Sequence, residues 1–409
     1  MEAGSVVLGL VGKTNVGKST FFTAATEQPV KIENRPFVTI EPNVGVAYAR
    51  KKCAHVDLGL PKCDPVNSLC LEGWRYIPVK LLDVAGLVPG AHKGRGLGNR
   101  FLDDVRKADA LLLVVDASGS TDPEGVPSKP GSHSPVEEVE SMILEIREWM
   151  VESLRRDWER FARRVDTGGI SDIVGALHQR VSGFEIPRSI VAEVLEATGL
   201  GEKRLTSWGD EDLRLFVSEA LHRGKPMVIV ANKSDVPGSE ENIKALRGRF
   251  PEIPVIPTSA IAEAMLRRLA RKGVIKYLPG DGSFEVLKPE ALDGRAKSAL
   301  KLIEERVFKL WGSTGVVQSI NTAVFDRLGM IAVYPVEDPN KYTDKEGRVL
   351  PDVLLVPKGS NPRELAFRIH TDLGKTFLYA INAKTRQRVG ENYSLKDGDV
   401  IKIVATTGK

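Results

Sequence analysis

The N-terminal segment constrains this chain more than any other part of it. Val6-Val7-Leu8-Gly9-Leu10-Val11 is a continuous apolar run, the pattern of a strand buried on both faces. Gly12-Lys13-Thr14-Asn15-Val16-Gly17-Lys18-Ser19 follows at once and fits G-x-x-x-x-G-K-[ST] in full. Ser19-Thr20-Phe21-Phe22 then opens a helix pattern. Strand, glycine-rich turn and helix in this order predict a parallel α/β layer with a phosphate cradle at the turn. Gly12 and Gly17 let the backbone close round a β-phosphate. The loop from Asn15 through Val16 and Gly17 to Thr20 turns its amides to the anion. Lys18 reaches the β- and γ-phosphates, and the Ser19 hydroxyl is a Mg²⁺ ligand.

Three later segments narrow the nucleotide. Ile77 to Leu82 reads as a strand and ends in Asp83-Val84-Ala85-Gly86. A carboxylate there can hold Mg²⁺ through water, and the Gly86 amide can approach a γ-phosphate. The strand-like run Met227 to Ala231 leads into Asn232-Lys233-Ser234-Asp235. Asp235 can accept both guanine N1–H and N2–H₂, a donor pair that adenine lacks. Lys233 can lie along the purine face, and Asn232 can tie this loop to the first one. Pro254 to Pro257 is a short strand before Thr258-Ser259-Ala260, a turn suited to guanine O6. Four elements in this order predict a GTP site. Between the first two, Thr39 in Pro36-Phe37-Val38-Thr39-Ile40 is the candidate Mg²⁺-sensing switch threonine, because Thr23 and Thr26 fall inside the predicted helix.

Bulk properties exclude other classes. A length of 409 residues predicts two or three domains. Lys plus Arg number 58 against 54 Asp plus Glu, a net charge of +4 with no basic stripe, which is not the profile of a dedicated DNA binder. No stretch approaches the roughly 18–20 apolar residues of a membrane span, and the N-terminus lacks a signal-peptide pattern, so the expected compartment is the cytoplasm. Cys53, Cys63 and Cys70 form an odd set with His55 between the first two. A Cys-x-His…Cys…Cys set can in principle hold zinc, but it matches no standard zinc spacing, and the favoured reading is of ordinary thiols in a loop.

Asp83 and Asn232 are too far apart for a minimal nucleotide domain, so the excess reads as an insertion of about 119–222. Gly119 to Pro135 is loop-like, Val136 to Val165 helical, and further helical patterns cover Ile186–Thr198 and Asp210–His222. The insertion reads as a packing element or as a projecting arm whose Arg155, Arg156, Arg163 and Arg164 touch a partner. Ala296–Trp311 and Val316–Leu328 predict two connecting helices. Strand patterns at Met330–Tyr334, Val353–Val356, Phe377–Ile381 and Val400–Val404, with a helix at Pro362–His370, predict a last module.

Gly12–Ser19, the run from Pro36 to Asn43, Asp83-Val84-Ala85-Gly86-Leu87-Val88 and Gly94-Arg95-Gly96-Leu97-Gly98-Asn99 resemble the Obg/YchF family of GTPases, in its archaeal and eukaryotic YchF-related branch. From Gly329 onward the chain resembles a TGS domain, a small β-grasp module shared with threonyl-tRNA synthetases and stringent-response enzymes. The resemblance implies an α/β P-loop G domain over 1–275, with a mostly parallel sheet and helices on both faces. It also implies the helical insertion, a connector over 276–328 and the TGS domain over 329–409. It implies slow GTP hydrolysis and association with the ribosome, ribosomal RNA or ribosomal protein through the TGS domain and the insertion, the protein itself being a monomer. Leu87 stands where Ras-like proteins keep a water-orienting glutamine, so a partner, a cation or another group such as His92 must assist. Asn15 matches a position that holds K⁺ in related GTPases. Two other readings stay open: a ribosome- or RNA-binding module with a structural nucleotide, and a YchF-like ATPase, which Asp235 opposes.

Overall fold

The computed structural model describes residues 5–27, 43–84, 104–169 and 172–406. Of the residues singled out above, Thr39, Gly86, Leu87, His92 and the 94–99 run lie outside the described ones. β1 (Val7–Val11), β2 (Val44–Lys52), β3 (Leu69–Leu71), β4 (Trp74–Asp83), β5 (Ala110–Asp116), β6 (Met227–Asn232) and β7 (Val255–Pro257) build the first sheet. Its order is β2-β4-β1-β5-β6-β7, with β3 alongside β4. The strands from β4 through β7 run parallel, and β2 and β3 pair antiparallel with β4.

Both faces of this sheet are covered, and the strand sequences show why. In β5, Leu111, Leu113 and Val115 point into one apolar core while Ala110, Leu112 and Val114 point into the other. A strand alternates sides at every residue, so an unbroken apolar run is stable only between two layers. The first core holds the inserted helices Pro135–Arg155, Trp158–Arg164, Ile173–Val181, Arg188–Thr198 and Asp210–Gly224. The insertion is thus continuous with the sheet's own core, and its Arg155 pairs with Asp210 at 2.6 Å. The single helical stretch expected over 136–165 is broken: Asp157 sits at φ 54° between the first two helices. The apolar stripe of Leu154, Trp158 and Ala162 runs through the break, so periodicity alone conceals it.

The second face carries the helix Lys18–Thr26 and the helix Val316–Asn321. Helix Gly294–Leu302 passes through a wider turn, Ile303–Phe308, to Lys309–Trp311 and packs with helix Ala260–Arg271 and the ribbon of β8 (Ile275–Lys276) and β9 (Glu285–Val286). A buried network stitches these pieces together. Glu263 holds Arg267 at 2.5 Å, and accepts from Tyr277 at 2.6 Å and Thr314 at 2.5 Å. Arg267 in turn donates to the Glu27 carbonyl at 2.6 Å, at the end of the first helix.

The C-terminal sheet is separate: β10 (Met330–Pro335), β11 (Leu354–Pro357), β12 (Phe377–Asn382), β13 (Gln387–Val389) and β14 (Val400–Ala405), in the order β11-β10-β14-β12-β13. Its central pair β10 and β14 is parallel and the others antiparallel. Helix Pro362–Ile369 starts in a reciprocal cap, Glu364 N–H to Asn361 at 3.0 Å and Asn361 N–H to Glu364 at 3.2 Å, and buries Leu365 against Val333, Val356 and Ile401. The opposite side of β10 joins the core of the first sheet through Ala332 and Tyr334.

Cys53, His55, Cys63 and Cys70 come together in space: one donor atom from each lies within 4.8 Å of all the others, with Cys53 directly after β2 and Cys70 on β3. Removing Glu263 leaves Arg267 as an uncompensated buried charge, so Glu263→Ala should lower the unfolding free energy by about 3–5 kcal/mol in chemical denaturation. A loss well below 1 kcal/mol would show that the network carries no such weight.

Candidate nucleotide-binding site

The candidate site lies at the C-terminal ends of the parallel strands, where loops converge in open α/β sheets. The loop Gly12–Ser19 joins β1 to its helix, and its two glycines answer to protein neighbours. A Cβ on Gly12 would stand 2.6 Å from the Val114 carbonyl oxygen, and one on Gly17 (φ 92°) would collide with the Asn232 amide. Close packing of the loop on β5 and the base loop therefore demands glycine before any phosphate is considered.

Asn232 joins three loops. Its Nδ2 donates to Val16 O at 2.8 Å, and its Oδ1 accepts from Ala260 N–H at 3.1 Å. A guanine O6 would have to share the Ala260 amide with Asn232. Ser259 caps the helix it precedes, accepting from Ala262 N–H at 3.3 Å, while its own N–H donates to Thr314 O at 2.8 Å.

Lys233, at φ 61°, extends its ammonium to Asp116 at 2.7 Å. Asp116 ends β5 and is fully buried, accepting also from the hydroxyls of Ser118, Ser120 and Thr121. Burial pushes its carboxyl up, but Lys233 and these hydroxyls prevail and hold it below the usual carboxylate range. The sequence reading misses Asp116, although a carboxylate closing an all-apolar strand is itself a signal. Asp235 Oδ1 is buried without a hydrogen-bond partner among the described residues. Beside it opens a pocket of about 400 Å³ lined by Pro237, Ser298, Lys301, Leu302, Glu305 and Arg306. A buried orphan acceptor matches the donor edge of guanine, but this pocket lies against helix Gly294–Leu302 and the turn after it and includes none of Asn232, Lys233, Ser259 or Ala260.

At the phosphate end, Lys18 Nζ lies 3.0 Å from Asp83 and 2.7 Å from Val84 O. Ser19 and Thr20 are exposed on the first helical turn. Ser19 and Asp83 supply the hard oxygen donors that Mg²⁺ takes. Asn15, at φ 62°, donates through Nδ2 to Gly125 O at 2.8 Å, so only its Oδ1 could serve a cation. Lys13 reaches Thr121 O at 2.9 Å, Asp122 O at 2.6 Å and Glu138 at 2.7 Å. The start of the insertion therefore clasps the outer side of the phosphate loop.

Sequence profiles match three parts of the chain: a 50S ribosome-binding GTPase over 7–154, the G4 motif-containing domain of an Obg-like YGR210-like GTPase over 230–338, and a TGS domain over 340–405. An uncharacterized GTP-binding protein of Methanocaldococcus jannaschii is 47% identical over 98% of this chain and 99% of its own. This chain belongs to the Obg/YchF family of P-loop GTPases. A crystal structure of a GTP-binding protein from Pyrococcus horikoshii, 42% identical, matches 98% of this chain and 100% of that one with a TM-score of 0.78. A ribosome-binding ATPase YchF of Haemophilus influenzae is 28% identical over 66% of this chain and 69% of its own. Among the described residues no helix is long and apolar enough to cross a membrane.

Glu138 gives this site a pH signature. Burial raises its carboxyl from 4.5 to about 7 in spite of Lys13. Between those values the folded chain keeps a proton that the unfolded chain has lost. Its contribution to stability is therefore full below about 4.5 and is lost as pH rises through 7, by up to about 3 kcal/mol. Denaturation midpoints between pH 5 and 8 should show a steeper decline for the native chain than for Glu138→Gln; parallel profiles would contradict the assignment.

Proposed function

We propose that this member of the family binds GTP with Mg²⁺, hydrolyses it to GDP and phosphate, and acts in the cytoplasm as a nucleotide-dependent switch on the ribosome. The observation that carries the base choice is the buried, unpartnered Oδ1 of Asp235. Guanine satisfies that acceptor with N1–H and N2–H₂, whereas adenine would leave it unpaired. Lys233, anchored on Asp116, lays its stem along the purine, and Asn232 keeps the base loop in register with the phosphate loop.

The amides from Asn15 to Thr20 and the Lys18 ammonium bind the phosphates and orient the γ-phosphoryl group. Ser19 and Asp83, with Thr39, are the residues to hold Mg²⁺, which when bound neutralises charge on the β- and γ-oxygens. The Lys18–Asp83 pair then has to open, because both partners have work at the nucleotide. Asn15 braces the loop through Nδ2 on Gly125 O and keeps its Oδ1 available for a monovalent cation such as K⁺. Support for the ribosome comes from the relatives named for binding it and from the TGS domain.

The wild-type chain should hydrolyse GTP slowly, and Asp235→Asn should weaken GTP at least about 100-fold while gaining xanthosine triphosphate. Unchanged GTP binding in that variant would remove the base assignment. In co-sedimentation with ribosomal subunits, binding should strengthen with a non-hydrolysable GTP analogue over GDP. Binding indifferent to nucleotide would favour a ribosome-binding module whose nucleotide is structural.

A further inference from the structure

We propose that Cys53, His55, Cys63 and Cys70 form a structural zinc site that locks the C-terminal sheet onto the nucleotide-binding sheet. Cys53 follows β2 directly, and its N–H bonds the Gly73 carbonyl at 2.8 Å, at the turn into β4. The chain then makes the short helix Ala54–Asp57, a long irregular loop and β3, which carries Cys70. The donors therefore stand at the start, middle and end of one crossover, and the pairing of β2 and β3 with β4 brings its ends together.

Two of the donor–donor distances match the edges of a zinc tetrahedron, and all four donors lie within 4.8 Å of one another. Cys53 Sγ and Cys63 Sγ are 3.8 Å apart, and Cys70 Sγ and His55 Nδ1 are 3.7 Å apart. A tetrahedron with Zn–S of about 2.3 Å and Zn–N of about 2.0–2.1 Å has S···S edges of about 3.8 Å and S···N edges of about 3.6 Å. A disulfide needs about 2.05 Å. Three thiolates and an imidazole, with Cys53 and His55 buried, make a soft, closed donor set that selects Zn²⁺.

Charge supplies an independent argument. Zn²⁺ with three thiolates and a neutral imidazole carries one negative charge. Arg75 is fully buried and donates to Cys63 Sγ at 3.4 Å. Among the described residues no carboxylate forms an ion pair with it; its other hydrogen bonds go to the carbonyls of Leu350 and Pro351, at 2.8 and 3.0 Å. A buried guanidinium favours nearby negative charge; Asp352 lies within its electrostatic reach, and the thiolate cluster that Arg75 touches at Cys63 supplies more.

The crossover is also the seat of the C-terminal sheet. Asp64 N–H bonds Val349 O at 2.8 Å, Val66 N–H bonds Pro351 O at 2.7 Å, and Asn67 exchanges two bonds with the Val353 backbone at 2.9 and 3.1 Å. A loop with so little apolar core of its own needs an internal tie to hold this edge in place, and the zinc is that tie.

The test uses the full-length protein, purified under reducing conditions. Elemental analysis should find one zinc per chain. Replacement by Co²⁺ should give the visible d–d bands of a tetrahedral thiolate site. Cys63→Ser and Cys70→Ser should each weaken zinc about 100-fold or more against a chromogenic chelator. A reduced wild-type chain that takes up neither zinc nor Co²⁺ overturns the proposal, even if both variants fail to fold. So do variants that keep wild-type affinity, or a Cys53–Cys63 disulfide found by mass spectrometry in the isolated protein.

Discussion

The side-chain amide of Asn232 is the tie on which the nucleotide site depends. One amide group has one donor face and one acceptor face, and here they bind backbone groups of two other loops, at Val16 and Ala260. No apolar contact could replace this, because both partners are buried backbone groups that need a hydrogen bond. The absence of a Cβ at Gly17 is part of the same constraint, since the Asn232 amide occupies that space. The left-handed backbone of Asn15 and Lys233 is held on either side of this tie, strain that only an over-determined neighbourhood sustains.

Much of the fold was legible because its signals are local. The phosphate loop and the Asn232–Asp235 run each carry their chemistry within a few residues, and the apolar runs of β1 and β6 report burial on two faces. What stayed hidden is what only tertiary pairing creates. Asp116 looks like the end of a hydrophobic strand until β6 brings Lys233 alongside. Cys53 and Cys70 look unrelated until β2 and β3 both align with β4, through a two-residue hairpin turn at Glu72-Gly73. The spacing of such ligands reflects the length of a crossover rather than the geometry of a turn, so spacing rules built on local knuckles do not find them.

The insertion and the C-terminal sheet attach to the nucleotide sheet by different physics. The insertion shares an apolar core with one face, so it is fixed by area: Met142, Ile146 and Phe216 pack with Leu111 and Leu113. The C-terminal sheet adds directed polar contacts through the 63–67 loop to the apolar contact at Tyr334. Apolar packing tolerates small slides, whereas backbone hydrogen bonds set register. The polar edge is thus what fixes the orientation of the C-terminal sheet.

The buried network around Glu263 applies the same logic at the end of the phosphate-loop helix. Arg267 grips the carbonyl of Glu27, the last described residue before the segment that contains Thr39. Thr314, held by Glu263, accepts from Ser259 N–H at the base-side turn. One buried carboxylate therefore anchors the exit of the phosphate-loop helix and the backing of the base loop.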